Sequence, residues 1–260
     1  MPHLLHVWPN VSQRLLRASQ VLLLFDYDGT LTPLVPNPEQ ANLSTQVRER
    51  LTALTTGDKY ITGVISGRSL EDVAAKVGIP GMIYAGNHGL EIQGPGLDFV
   101  HQGALEQAGT QVQVSGELQS ALGGIPGVIV EPKGLTLSVH YRSTPGDQVR
   151  AVEQAFARVV EPYLESGTAR VTYGKKVLEV RPNLPWDKGK AIALLQETYP
   201  QASLTCFFGD DRTDEDGFGV VQESGGIAVL VGPARQPTIA WHRVDSPQEV
   251  AQVLDLMAEL

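Results

Sequence analysis

The chain has 260 residues, 42% hydrophobic and 19% charged, an ordinary globular composition that excludes a disordered chain. Twenty Lys and Arg against 29 Asp and Glu give a net charge of −9, which argues against nucleic acid or an anionic membrane as partner. A small anionic substrate stays open, because a local cluster of cations overrides the mean.

The predicted elements follow in chain order. An apolar run over 21–25 ends in Asp26-Tyr27-Asp28-Gly29-Thr30-Leu31. It is far shorter than the ~20 residues a membrane helix needs. With no cationic leader or small-residue cleavage site, the expectation is a cytoplasmic protein; separately, a monomer is expected. A helix is expected over 44–55, then a strand over 60–65 that runs into Ser66-Gly67-Arg68. A third strand over 82–85 runs into Gly86-Asn87-His88-Gly89, and a Gly- and Gln-rich stretch over 93–103 reads as a linker.

The middle of the chain differs. Strands over 128–131 and 135–142 flank a Pro-Lys-Gly turn, with Leu135, Leu137, Val139 and Tyr141 on one face and Thr136, Ser138, His140 and Arg142 on the other. A helix over 147–164 and strands over 170–173 and 176–181 complete an amphipathic α+β layer, and Arg181-Pro182-Asn183 leads out. A helix over 187–198 follows, then strands over 205–208, ending in Gly209-Asp210-Asp211, and 226–231. Apolar runs that stop at polar turns and alternate with helices predict a doubly wound parallel α/β sheet. The middle becomes a smaller α+β cap inserted into it, with the core over 1–92 and 183–260 and the cap over 93–182. Cys206, the single cysteine, sits in an apolar run and reads as a buried structural thiol.

Asp26 and Asp28 stand at i and i+2 where a buried strand ends, so both carboxylates can point one way. One can attack an electrophile while the other handles protons, a division that suits phosphoryl transfer. A single such pair, taken alone, reads first as a turn that satisfies its own backbone. A second acidic cluster, Asp210-Asp211 with Asp214-Glu215-Asp216, follows another strand. Clustered carboxylates repel unless a cation sits among them, and hard oxygens suit Mg²⁺. A helix N-terminus accounts for Glu215 and Asp216. Ser66 offers a hydroxyl at a strand end and Lys188 a compact cation at a helix start.

In this order the four elements resemble the haloacid dehalogenase-like phosphohydrolase superfamily. The resemblance implies that Asp26 is a nucleophile forming an aspartyl-phosphate and Asp28 the general acid/base. Ser66 would hold a phosphoryl oxygen, and Lys188 would neutralise the phosphate and Asp26. Mg²⁺ would be held by Asp210, the Asp26 carboxylate and the Asp28 backbone carbonyl, with Asp214, and Asp211 as an alternative, in support. Ser66 and Lys188 lie 122 residues apart, where a βαβ unit needs about 30, so an extra module lies between them.

Within the superfamily the chain resembles the trehalose-6-phosphate phosphatases over nearly its full length. Beyond the motifs above, the likeness is carried by Ser138-Val139-His140-Tyr141-Arg142, Gly174-Lys175-Lys176-Val177-Leu178-Glu179-Val180-Arg181-Pro182 and Thr213-Asp214-Glu215-Asp216. It implies a small-molecule sugar phosphate as substrate. Lys175 and Glu179 share a strand face and can converge on hydroxyls, and Glu131 and His140 lie on facing strands of the cap. For each, a structural ion pair is the competing account. Arg68 either steers phosphate or braces a loop, and His88 either touches substrate or is a core histidine. Phosphatases of sucrose 6-phosphate or of glucosyl- and mannosyl-3-phosphoglycerate share the architecture. A non-catalytic sugar-phosphate-binding domain is the reading from another class; it predicts a lost nucleophile or lysine, and neither is lost here.

Overall fold

The predicted strands form because both faces of their sheet are covered, which turns an alternating pattern into a continuous apolar run. The computed structural model describes every residue except Pro36, Lys175, Ala234 and Arg235. The chain forms two compact units, Met1–Phe99 with Trp186–Leu260, and Val100–Pro185.

The first leg runs α1 (Trp8–Arg17), β1 (Gln20–Phe25), α2 (Thr45–Thr56), β2 (Tyr60–Ile65), α3 (Leu70–Val77), β3 (Ile83–Gly86), β4 (Glu91–Gly94) and β5 (Leu97–Val100). The insert holds α4 (Gln102–Glu106), α5 (Ala108–Leu122), β6 (Ile129–Pro132), β7 (Leu137–His140), α6 (Val149–Glu165), β8 (Ala169–Gly174) and β9 (Val177–Pro182). The last leg runs α7 (Lys188–Thr198), β10 (Ala202–Gly209), α8 (Glu215–Glu223), β11 (Ile227–Val231), β12 (His242–Val244) and α9 (Pro247–Ala258). Among the described residues no helix is long and apolar enough to cross a membrane.

The large sheet has the order β12-β11-β10-β1-β2-β3-β4-β5. Its strands pair in parallel from β12 to β3, and β4 is antiparallel to β3. Along β1 the side chains alternate between two cores: Val21, Leu23 and Phe25 enter one with α2 and α9, while Leu22 and Leu24 enter the other with α7 and α8. Each fully buried Leu or Phe contributes roughly 1.5–3 kcal/mol, so β1 is pinned in register from both sides. Cys206 is buried in the first core, and burial pushes its thiol up to about 12 while Arg14 opposes the shift.

Strand order reverses between β1, which leads on to β2 and β3, and β10, which leads on to β11 and β12. The crevice at such a reversal, at the carboxyl ends of the strands, is where open α/β sheets bind ligands. Asp26 follows β1 and Asp210 follows β10.

The stretch expected as a linker, 93–103, instead holds the end of β4 and all of β5, which extend the large sheet. Leu97 and Phe99 turn inward to the second core while Asp98 and Val100 stay exposed. Four residues of alternation between glycines were too short a pattern to read as a strand.

The second unit is a four-stranded antiparallel sheet, β6-β7-β9-β8. Helices α5 and α6 cover one of its faces, with Leu137, Val139 and Tyr141 packed against Val114, Leu118, Val152 and Phe156. The other face carries a row of four residues in register, Glu131, Ser138, Glu179 and Thr172.

Candidate active site

Asp26 leaves β1 with its N–H still bonded to the Phe208 carbonyl (2.8 Å), which keeps it in line with the strand at the carboxyl end of the sheet. The chain then turns at once. The N–H groups of Leu31 and Thr32 both donate to the Tyr27 carbonyl (3.0 and 3.1 Å), and Gly29 donates to Thr32 (2.7 Å). Gly29 has φ +95°, a conformation open chiefly to glycine, and a β-carbon there would lie 2.3 Å from Asp210 Oδ2. The turn and the second acidic cluster are therefore packed backbone against carboxylate.

Lys188 opens α7, whose N-terminus is capped by the Asp187 side chain accepting from the Lys190 N–H (2.9 Å). Its ammonium is buried and donates to Asp26 Oδ1 and to Asp214 Oδ1, each at 2.6 Å. Asp214 is fully buried, and its other oxygen accepts the backbone N–H groups of Asp210 and Asp211 at 2.9 Å. Asp214 thus joins the lysine to the backbone that carries Asp210. Asp211 caps the following turn, accepting from the Arg212 N–H (2.7 Å), and Glu215 accepts from the Ile239 N–H (2.8 Å).

Asp26, Asp210 and Asp214 bring one oxygen each within 4.8 Å of one another. Burial pushes the Asp26 carboxyl above the usual carboxylate range, and Asp214 and Asp210 add to this while Lys188 opposes it. Lys188 itself stays protonated, because Asp214 and Asp26 outweigh the cost of burying it. Three carboxylates against one ammonium leave an excess of negative charge on hard oxygen donors, which fits a divalent cation.

Ser66 follows β2 at the same carboxyl end of the sheet. It is buried, its hydroxyl accepts from the Arg68 N–H (3.2 Å), and its carbonyl accepts from the His88 N–H (2.8 Å). Asn87 and His88 both have positive φ, 50° and 58°, and both are buried. Consecutive non-glycine residues in this region cost of the order of 1–3 kcal/mol each and persist only where their surroundings fix them. Here the Asn87 N–H donates to the Arg68 carbonyl (2.7 Å), and the His88 ring lies over Gly67, where a β-carbon would come within 2.8 Å of it. His88 therefore braces the Ser66-Gly67-Arg68 loop from behind.

Arg68 is buried and bonds Asp28 through two nitrogens, Nε to Oδ2 at 2.6 Å and Nη2 to Oδ1 at 2.8 Å. It also donates to Asp72 (2.6 Å) and to the Pro38 carbonyl (2.8 Å). The Arg68–Asp72 pair is visible in the sequence only as an i,i+4 spacing. A further contact without any sequence signal is Gln236 Nε2 donating to the Asp210 carbonyl (2.9 Å).

On the polar face of the second unit, His140 Nε2 meets Glu131 Oε2 at 2.6 Å. Glu179 is buried; it accepts from Thr172 Oγ1 (3.1 Å) and pairs with Lys133 (3.5 Å). Thr172 was missed, although its register opposite Glu179 follows from the β8–β9 hairpin. Lys175 lies outside the described residues.

The trehalose-phosphatase family profile matches residues 24–248. The chain is 35% identical over 257 residues to "Probable trehalose-phosphate phosphatase D" of Arabidopsis thaliana, covering 94% of this chain and 68% of that one. It is 37% identical over 249 residues to the trehalose-phosphate phosphatase of Mycobacterium tuberculosis, covering 93% of this chain; it spans 62% of the length of that relative. Among solved structures, the C-terminal domain of Candida albicans trehalose-6-phosphate phosphatase superposes with a TM-score of 0.87 at 26% identity, covering 99% of this chain and 98% of that one. With its matched motifs gathered at the strand reversal, the chain belongs to the trehalose-phosphatase family.

Proposed function

We propose that this protein is a phosphoric monoester hydrolase that cleaves trehalose 6-phosphate to trehalose and inorganic phosphate, with Mg²⁺ as cofactor. The observation that carries the reading is the buried Asp26 carboxylate at the end of β1, 2.6 Å from the Lys188 ammonium and grouped with Asp210 and Asp214.

In this reading an Asp26 oxygen attacks phosphorus and the bond from phosphorus to the sugar oxygen breaks. Asp28 gives the departing sugar oxygen a proton, and an aspartyl-phosphate remains. Water then attacks phosphorus, Asp28 takes its proton, and the bond to Asp26 breaks to free phosphate. Lys188 offsets negative charge on Asp26 and on the phosphoryl oxygens, and the Ser66 hydroxyl and backbone hold one of those oxygens. Asp26, Asp210 and the Asp28 carbonyl would hold Mg²⁺, with Asp214 supporting them through Lys188 and the backbone of Asp210 and Asp211. When bound, the ion supplies charge neutralisation for the transferring phosphoryl group. Glu131, His140, Lys175 and Glu179 recognise the sugar, since hydroxyl patterns are told apart by directional polar groups and not by an apolar pocket.

The test is phosphate release from a panel of sugar phosphates with Mg²⁺ and after chelation. Preference for trehalose 6-phosphate, abolished by EDTA and restored by Mg²⁺, is expected. Preference for sucrose 6-phosphate or glucosyl-3-phosphoglycerate would overturn the substrate, and full activity in metal-stripped buffer would overturn the cofactor.

A further inference from the structure

Arg68 stands two residues beyond Ser66, where a cation suggests a phosphate ligand. Its bonding points elsewhere. A guanidinium has five N–H donors in a fixed fork. Four of them are engaged among the described residues: Nε with Asp28 Oδ2, Nη2 with Asp28 Oδ1 and the Pro38 carbonyl, and Nη1 with Asp72 Oδ2. One face of the guanidinium lies over the Tyr27 ring, 5.3 Å from its centroid. That ring is tethered in turn by its hydroxyl donating to the Ala41 carbonyl (3.0 Å). A phosphate could take the two-pronged fork only by evicting Asp28.

The other end of the residue is equally fixed. The Arg68 N–H donates to Ser66 Oγ, and its carbonyl accepts from the Asn87 N–H. Asp72 is set by α3, whose cap Ser69 accepts from the Asp72 N–H (3.2 Å). Asp28 is the freer partner, about one-third exposed at its side chain against 8% for Arg68. A buried, multiply bonded fork grips a more exposed carboxylate at both oxygens, which fixes the plane as well as the position of that carboxylate.

We propose that Arg68 is a positioning residue for Asp28: it orients the acid/base carboxylate and affects turnover only through it, without binding substrate phosphate. The proposal rests on the reading of Asp28 as the acid/base group. It makes the Ser66-Gly67-Arg68 loop serve two purposes, with Ser66 at the phosphoryl group and Arg68 turned back toward the proton-transfer residue. Asn87 and His88, in their strained turn, then support both.

The experiment is a double-mutant cycle of Arg68→Gln and Asp28→Asn in the full chain with Mg²⁺, read on trehalose 6-phosphate and on para-nitrophenyl phosphate. A nitrophenolate leaves without a proton, whereas a sugar alkoxide needs one, so the ratio of the two rates reports Asp28. Arg68→Gln is expected to lower kcat on the sugar phosphate by about 10-fold or more with KM little changed, and to lower the aryl phosphate rate by less than about 3-fold. In the Asp28→Asn background it is expected to change kcat by less than about 2-fold, because its route to the reaction is already cut. Losses that multiply across the two sites, or a raised KM on both substrates, would overturn the proposal. Equal losses on both substrates from Asp28→Asn alone would overturn the acid/base reading and the proposal with it. Asp72→Asn loosens the fork while leaving both Arg68 and Asp28 present, and serves where Arg68→Gln does not fold. It is expected to give the same selective loss on the sugar phosphate at smaller size, and an unselective loss would count against Arg68.

Discussion

A β-carbon on Gly29 would lie 2.3 Å from the Oδ2 of Asp210, far inside van der Waals contact, although 181 residues separate the two. The contact couples the turn after β1 to the carboxylate after β10. Gly29→Ala must therefore either push Asp210 aside or give up its φ of +95°. The backbone strain alone is of the order of 1–3 kcal/mol. Displacing a site carboxylate by an ångström costs roughly 100-fold in rate. The expected outcome is a folded protein of lower Tm with at least that loss in kcat, read by thermal unfolding and phosphate release.

Asp214 is the joint between Lys188 and the backbone of Asp210 and Asp211. Asp214→Asn keeps the shape, but an amide has one acceptor end where two are needed. Whichever way it turns, N–H groups face either the ammonium or two backbone donors. Breaking a buried pair on one side costs about 3–5 kcal/mol, and a loss of that order is expected in urea unfolding. A loss below about 1 kcal/mol would mean that Lys188 finds other compensation.

Glu179, bound to Thr172 and Lys133 on the polar face of its sheet, is proposed to recognise the sugar. Glu179→Ala should lower kcat/KM on trehalose 6-phosphate by about 10-fold or more, the equivalent of one hydrogen bond to a charged group. The rate on para-nitrophenyl phosphate should fall far less. An equal fall on both substrates would assign Glu179 to holding the sheet together.

His242, on β12, has its pKa lowered by burial and, to a lesser degree, by Arg14. The unfolded chain then binds the proton more readily than the folded one. The stability this residue permits is complete above its ordinary pKa of about 6.5 and declines as pH falls through the lower folded value. Urea midpoints at intervals from pH 8 to pH 5 should drop on acidification, and His242→Asn should flatten that dependence. An unchanged slope in the variant would assign the acid sensitivity to other groups.

How much of this was legible in the sequence depended on whether a feature was a pattern or a pairing. The strand at residues 60–65 reads directly because Tyr60 and Val64 enter one core and Ile61 and Ile65 the other. So does the inward set Leu137, Val139 and Tyr141, because two helices cover one face only. The β4–β5 extension failed as a reading because its alternation lasts only four residues between glycines. Pairings were harder. Arg68 and Asp28 are 40 residues apart, and periodicity gives the face on which a side chain lies but not what waits there. What bears on the two readings of Arg68 is which of its donors are occupied, a property of three-dimensional arrangement that periodicity does not carry.

The strand that carries Asp26 cannot finish assembling early. Its neighbour β10 arrives about 180 residues later, since Leu23 pairs with Cys206, and contacts of such separation slow folding because loop closure precedes their reward. The segment Val100–Pro185, with its own apolar core, is by then already synthesised. On a ribosome the insert is thus free to fold while β1 still lacks β10 along one edge and α7 and α8 over one face, which leaves Leu22 and Leu24 uncovered. Pulse proteolysis of chains stalled with Pro185 just clear of the ribosomal exit tunnel should leave a protected fragment from the insert and cut freely through residues 20–65. The catalytic half would then be the last part of this protein to become safe from aggregation.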